Sequence, residues 1–166
     1  SQFQAFTGWS WLSAGAVDID GDGTEEIYGG NYNTGGGAIY VFAPDADSLV
    51  GYMVADFSTT TSSKVTSIRH GYIDADSLVD FAVGFRGTDE IYLVSYQGGD
   101  VTSSASYTMK LMDKGVLGTD GIGQMDAMFV GNLDGKGYDE VLYAGVPRSI
   151  GTNKQPLTIG KFDAVL

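Results

Sequence analysis

Five acidic side chains, Asp18, Asp20, Asp22, Glu25 and Glu26, fall within nine consecutive positions, a density that even scatter would not produce. Three of them alternate, at 18, 20 and 22, and carboxylates so spaced repel one another strongly unless a cation stands among them. Gly23 permits a sharp turn after the third, and Thr24 follows with a main-chain carbonyl that such a turn can aim inward. Calcium takes about six to eight oxygens at about 2.3–2.6 Å, and a short loop supplies them only by curling around the ion. With Asp18 as position 1, the expected ligands are Asp18, Asp20, Asp22, the Thr24 carbonyl at position 7 and the Glu26 carboxylate at position 9.

The first six positions would also suit an EF-hand. That loop needs a bidentate glutamate at position 12 and a helix on either side. Position 12 is Gly29, and the flanks are apolar, glycine-broken runs of strand type, so the EF-hand is rejected. Catalytic chemistry finds little support. His70 is the only histidine, any Ser–His–Asp arrangement would have to pass through it, and no nucleophile-elbow motif surrounds a serine. A packed or rim histidine is expected there. Gly35 to Gly37 precedes a strand rather than a helix, which disqualifies it as a phosphate loop, and one His with no Cys gives no zinc site. No enzyme activity is expected.

The elements that must hold the acidic loop repeat along the chain. Ala16–Gly30, Gly71–Gly84 and Val130–Gly145 align, and matching Glu26 with Asp80 and Glu140 gives spacings of 54 and 60 residues. Each loop lies between short runs rich in Tyr, Val, Ile and Phe: 26–28, 38–42 and 51–57 after the first, 81–83, 90–96 and 106–112 after the second. With the leading strands at 64–69 and 125–130, each unit counts about four strands, the make-up of a propeller blade. The expected fold is all-β, with three four-stranded antiparallel propeller-like blades in a single domain, 1–166, divided near 10–63, 64–123 and 124–166. The third unit is short, offering only 156–162 after Tyr143, while Gln2–Phe6 has no hairpin partner nearby. That N-terminal segment is expected to complete a blade in its own chain or in a neighbour.

Asp-x-Asp-x-Asp-Gly-x-x-Glu at Asp18–Glu26, followed by a short apolar strand, resembles the FG-GAP or VCBS repeat of integrin-like β-propellers, and Tyr143-Ala-Gly-Val-Pro147 resembles the Gly-Ala-Pro end of that repeat. The resemblance spans residues from about 10 to 150 as three copies, with the full pattern in the first. It implies calcium at Asp18, Asp20, Asp22, Thr24 and Glu26, and extracellular adhesive or carbohydrate-associated roles. The second copy carries Tyr72 for the first acid and Ser77 for the glycine, leaving Asp74, Asp76, the Leu78 carbonyl and Asp80. The third keeps Asn132, Asp134 and Glu140 but has Lys136 at position 5, where an ammonium could replace the ion. The first loop is expected to be filled and the third empty, with the second open between those outcomes.

The whole chain fits this reading. Its 166 residues, 43% hydrophobic, make one domain with a real core, and 25 glycines against three prolines imply many tight turns. Nine Lys and Arg against 21 Asp and Glu give a formal charge of −12, which argues against nucleic acid and suits a holder of divalent cations. No apolar run reaches the roughly 20 residues of a membrane helix. With no cysteine, calcium is the staple at hand. A start at Ser1 without initiator Met or signal peptide is expected of a mature or trimmed form, or of a piece of something longer.

Trp9 and Trp11, with Phe3, Phe6 and Tyr28, could form a sugar-stacking platform, though packing between blades is the expected use. The runs 58–63 and 102–106 read as solvated hairpin tips that could carry O-linked sugars. Three blades are fewer than an ordinary closed propeller has, so the terminal faces need covering. The expectation is a non-catalytic extracellular structural or adhesive protein, stiffened by calcium, whose partners are copies of itself in an oligomer or filament. The alternatives are a fragment of a larger propeller that binds glycan or cell-surface protein, and an accessory repeat of a carbohydrate-active enzyme.

Overall fold

The computed structural model describes residues 10–32, 36–45, 48–60, 64–86, 88, 90–114, 124–146 and 157–160. The Gln2–Phe6 segment, Trp9 and Pro147 lie outside them, and Trp11 is described by its backbone alone. Apolar, β-branched and aromatic runs broken by glycine form eleven strands, and among the described residues there is no α-helix. Strands β1 (Ser10–Val17), β2 (Glu26–Tyr32), β3 (Ala38–Asp45) and β4 (Ser48–Asp56) pair antiparallel in chain order as unit one. Strands β5 (Lys64–Gly71), β6 (Asp80–Arg86), β7 (Glu90–Tyr96) and β8 (Tyr107–Lys114) do the same as unit two.

Unit three departs from expectation. Strands β9 (Gln124–Gly131) and β10 (Glu140–Val146) pair along their length, and β11 (Leu157–Gly160) adds only four residues at the edge of β10. The described residues therefore hold two four-stranded sheets and a smaller third one, rather than three equal blades, and they form no closed ring. Among the described residues, too little chain is in strand after Val146 to build a fourth. A single bridge between Arg86 and Gln124 joins β6 to β9, so units two and three share one hydrogen-bonded network.

Unit two lies between the others, with β5 packed against β1 and β2 on one side and against β9 on the other. One core fills the first seam: Ile19, Tyr28, Ile39, Val41 and Phe57 meet Val65, Phe81, Val83, Phe85 and Tyr92. The Tyr28 and Phe81 rings meet tilted with centroids 4.9 Å apart, and Phe57 meets Phe85 edge-on at 4.8 Å. A second core fills the other seam, where Ile73, Ala82, Ile91 and Leu93 meet Met128, Val141 and Tyr143. Covered on both faces, β7 is buried at every position, which explains its unbroken Ile-Tyr-Leu-Val run. The seams are close enough to require glycine: a Cβ on Gly30 would stand 2.3 Å from Val65 Cγ1, and one on Gly71 would stand 2.3 Å from Val130 Cγ1.

The repeat extends to an irregularity. The leading strands β1, β5 and β9 each bulge, at Leu12, Thr66 and Asp126, and each bulge lies six residues before position 1 of its loop. A bulge sharpens twist and re-aims the strand beyond it, so the three loops leave their sheets alike. The run at 102–106 is only partly a solvated tip. Ser103 caps a 3-10 turn at Ser104–Ser106, and Ser106 is buried.

Candidate metal centre

The first loop joins β1 to β2, as the strand flanks require, with Gly21 at φ 77° and Gly23 at φ 91° curling it back on itself. Left-handed backbone at both positions costs glycine little. The side chains of Asp18, Asp20 and Asp22 converge, each giving a carboxylate oxygen within 4.8 Å of the others. Main-chain donors fix their aim. Asp18 accepts from Gly21 N–H at 2.8 Å and Gly23 N–H at 2.9 Å, Asp20 from Asp22 N–H at 3.1 Å, and Asp22 from Thr24 N–H at 2.7 Å. Three oxygens so close can surround one divalent ion at about 2.3–2.6 Å each, and among the described residues this is the one such cluster.

Glu26 stands apart from that trio. It is buried, and its Oε2 accepts from Ile19 N–H at 2.9 Å. The same bond recurs in the other loops: Ile73 N–H to Asp80 Oδ2 at 2.9 Å, and Leu133 N–H to Glu140 Oε2 at 2.8 Å. Position 9 is thus a clasp that ties the loop's start to the strand leaving it. Burial pushes the Glu26 carboxyl up, the Ile19 N–H pulls it down, and the charges of Asp20, Asp22 and Asp18 push it up again.

Loop two shares part of the hydrogen-bond pattern but not the convergence, and Ala75 at position 4 lacks the left-handed backbone of Gly21 and Gly135. Asp76 N–H donates to Asp74 Oδ1 at 3.0 Å and Leu78 N–H to Asp76 Oδ1 at 2.8 Å, matching the Asp20 and Asp22 bonds of loop one. Ser77, aligned with Gly23, holds φ 64°, the left-handed value that marks position 6 in all three loops. Asp80 is fully buried and also accepts from Asp74 N–H at 2.8 Å, while its Oδ1 has no partner. Burial raises its pKa from 3.8 to about 6, against the pull of the Ile73 and Asp74 N–H donors, and the Asp74 charge adds to the rise. The Ser95 hydroxyl gives its one proton to Asp74 Oδ2 at 3.0 Å, so a β7 side chain engages the carboxylate that a cation would need. Burial likewise raises Asp76, with Asp74 beside it adding to the rise.

In loop three, Lys136 N–H donates to Asp134 Oδ1 at 2.8 Å, and Asn132 Nδ2 donates to the Gly137 carbonyl at 3.3 Å. Asn132 is turned to the loop's own backbone, and Glu140 serves as the clasp.

His70 is a packed residue. Its Nδ1 lies 2.9 Å from the Tyr28 hydroxyl, the rings meet edge-on at 5.6 Å, and burial lowers its pKa. Tyr28 itself belongs to the core. Sequence reasoning missed Asp139, whose Oδ2 accepts from Tyr72 N–H at 2.9 Å while its own N–H donates to the Tyr72 carbonyl at 2.8 Å. These bonds lace loop three to loop two across the second seam. The one available signal was an acid at position 8, outside the ligand set. No protein-family model, no curated protein and no solved structure matches the chain. Among the described residues no helix is long and apolar enough to cross a membrane.

Proposed function

We propose that the chain is a non-catalytic extracellular structural or adhesive protein of FG-GAP/VCBS type. In this reading it is built from three propeller-like blades, the last completed by the N-terminal strand or a neighbour, and it assembles with its own kind. Calcium stiffens the turn at Asp18–Glu26. The observation that carries the reading is the convergence of Asp18, Asp20 and Asp22 on a loop between strands. Hard oxygen donors on a loop, to which this reading adds the Thr24 carbonyl, suit calcium better than magnesium, which demands near-ideal octahedral geometry. Residues 20–25 of loop one are exposed and the charges of Asp18, Asp20 and Asp22 act against Glu26, so an ion there would add order where packing adds little.

The test is unfolding with calcium and with chelator. A ligand at a hundred times its Kd adds about 2.7 kcal/mol to the stability of the state that binds it. A calcium-dependent gain on that scale is expected for the natural chain and for Asp76→Asn, and should vanish in Asp20→Asn. Equal unfolding midpoints in calcium and chelator would overturn the metal reading.

A further inference from the structure

Equivalent repeat positions are buried at the two internal seams and exposed at the two ends. Each unit has a leading face, toward the unit before it, and a trailing face, toward the unit after it. Position 2 lies on the trailing face: Ile19 is 2% exposed and Ile73 0%, each covered by the next unit, but Leu133 is 48% exposed. Position 10 lies on the leading face: Phe81 and Val141 are 0% exposed, each against the unit before, but Ile27 is 43% exposed. The exposed residues have apolar company. Ile27 is registered with Phe42 on the leading face of unit one, and Phe129, 53% exposed, with Leu142 on the trailing face of unit three.

We infer that the trailing face of unit three in one copy docks on the leading face of unit one in a second copy, repeating the internal seams. This rests on the self-assembly part of the proposed function and names its surfaces. The occupant is argued from the seams themselves. At the first, Ile19 and Tyr28 share a core with Phe81; at the second, Ile73 and Ala82 share one with Val141. At the third, Leu133 and Leu142 meet Ile27. The polar lacing of the second seam has its counterparts at the two ends as well. Asp139 at position 8 laces to Tyr72 at position 1, and their counterparts, Glu25 and Asn132, are both exposed. Such a contact joins two different faces, so it propagates until rotation closes a ring, or continues as a filament.

Sedimentation velocity on the full chain, in calcium and at physiological salt, tests this with Ile27→Glu and Leu133→Glu. Both sites are half-exposed, so the folds should survive, and far-ultraviolet circular dichroism checks it. The natural chain should sediment as multimers. Each variant alone, with one face spoiled, should run as the 17.5 kDa monomer. Mixed in equal amounts, the two leave one intact seam, and a species of twice the chain mass should appear and grow no further. A monomeric natural chain, a variant that still multimerises, or a mixture that stays monomeric would each overturn the docking. Measuring the calcium response of unfolding in every arm separates the two proposals: association lost with that response intact counts against the seam alone.

Discussion

Units one and two follow the same course through a bulged leading strand, a clasped loop and three further strands, yet their surroundings differ. In unit two, position 9 is Asp80, fully buried with one oxygen unpartnered, and position 10 is Phe81, enclosed by unit one. In unit one, position 9 is Glu26 at the edge of an exposed acidic loop, and position 10 is Ile27, open to solvent. Loop two is held by its neighbours and by Ser95, and burial raises the carboxyls of Asp76 and Asp80. In loop one Asp18, Asp20 and Asp22 converge, held by the loop's own backbone donors. A loop pinned by packing does not need an ion, and a loop that lacks packing is where an ion contributes most.

Core truncation should show the largest contrast. Phe81→Ala removes a ring packed against Tyr28 in a sealed seam and is expected to cost about 3–5 kcal/mol. Ile27→Ala, at the same repeat position, should cost less than about 1 kcal/mol, because its side chain loses little burial. Chemical denaturation of both variants measures this, and comparable losses would mean that unit one's leading face is covered in the free chain.

Asp80 sets the next contrast. Its carboxyl titrates near pH 6 when folded and near 3.8 when unfolded, so between those values the folded chain holds the extra proton. Stability is therefore highest below about pH 3.8 as far as this group is concerned, falls as pH rises to about 6, and is flat above. The displacement corresponds to roughly 3 kcal/mol at most. Asp80→Asn keeps an acceptor for Ile73 and Asp74 N–H without the charge. In chelator, the stability difference between natural chain and variant should fall by that order across the window. A constant difference would show that Asp80 is not penalised by burial, and a difference flattened only by calcium would place an ion in loop two.

Much of the fold and the site was legible in the residues. The spacing of acids and apolar runs gave the repeat, the strand flanks and the convergence of Asp18, Asp20 and Asp22. The apolar run at 90–96 marked a strand, and the structure adds that it is buried at every position. What was not legible depends on distant partners. Ser95 reaches Asp74 across 21 residues, Tyr28 meets His70 across 42, and Asp139 reaches Tyr72 across 67. Nothing local marks such pairs. The clasp role of Glu26 was masked because an acid at position 9 reads equally as a ligand, and only three-dimensional placement shows its oxygen on Ile19 N–H. Unit three reads as short in the sequence: the strand expected at 156–162 appears at Leu157–Gly160 beside β10, and Gln2–Phe6, expected to complete a blade, lies outside the described residues.

The smallest contrast lies at position 6. Gly23 at φ 91° and Gly137 at φ 67° pay nothing for left-handed backbone, whereas Ser77 at φ 64° carries a steric penalty. Ser77→Gly relieves that penalty, of the order of 1 kcal/mol, but loosens the unfolded chain by a comparable amount. A net gain of a few tenths, at most about 1 kcal/mol, is expected in thermal unfolding. Gly23→Ser should lose about as much in chelator, since nothing lies within 4 Å of its Cβ and backbone strain is the whole cost. In calcium the same substitution should cost more, because the ion demands the curled loop while the chelated chain can relax it. An equal cost in both conditions would mean that loop one is as firmly held by its own hydrogen bonds as loop two is by its neighbours.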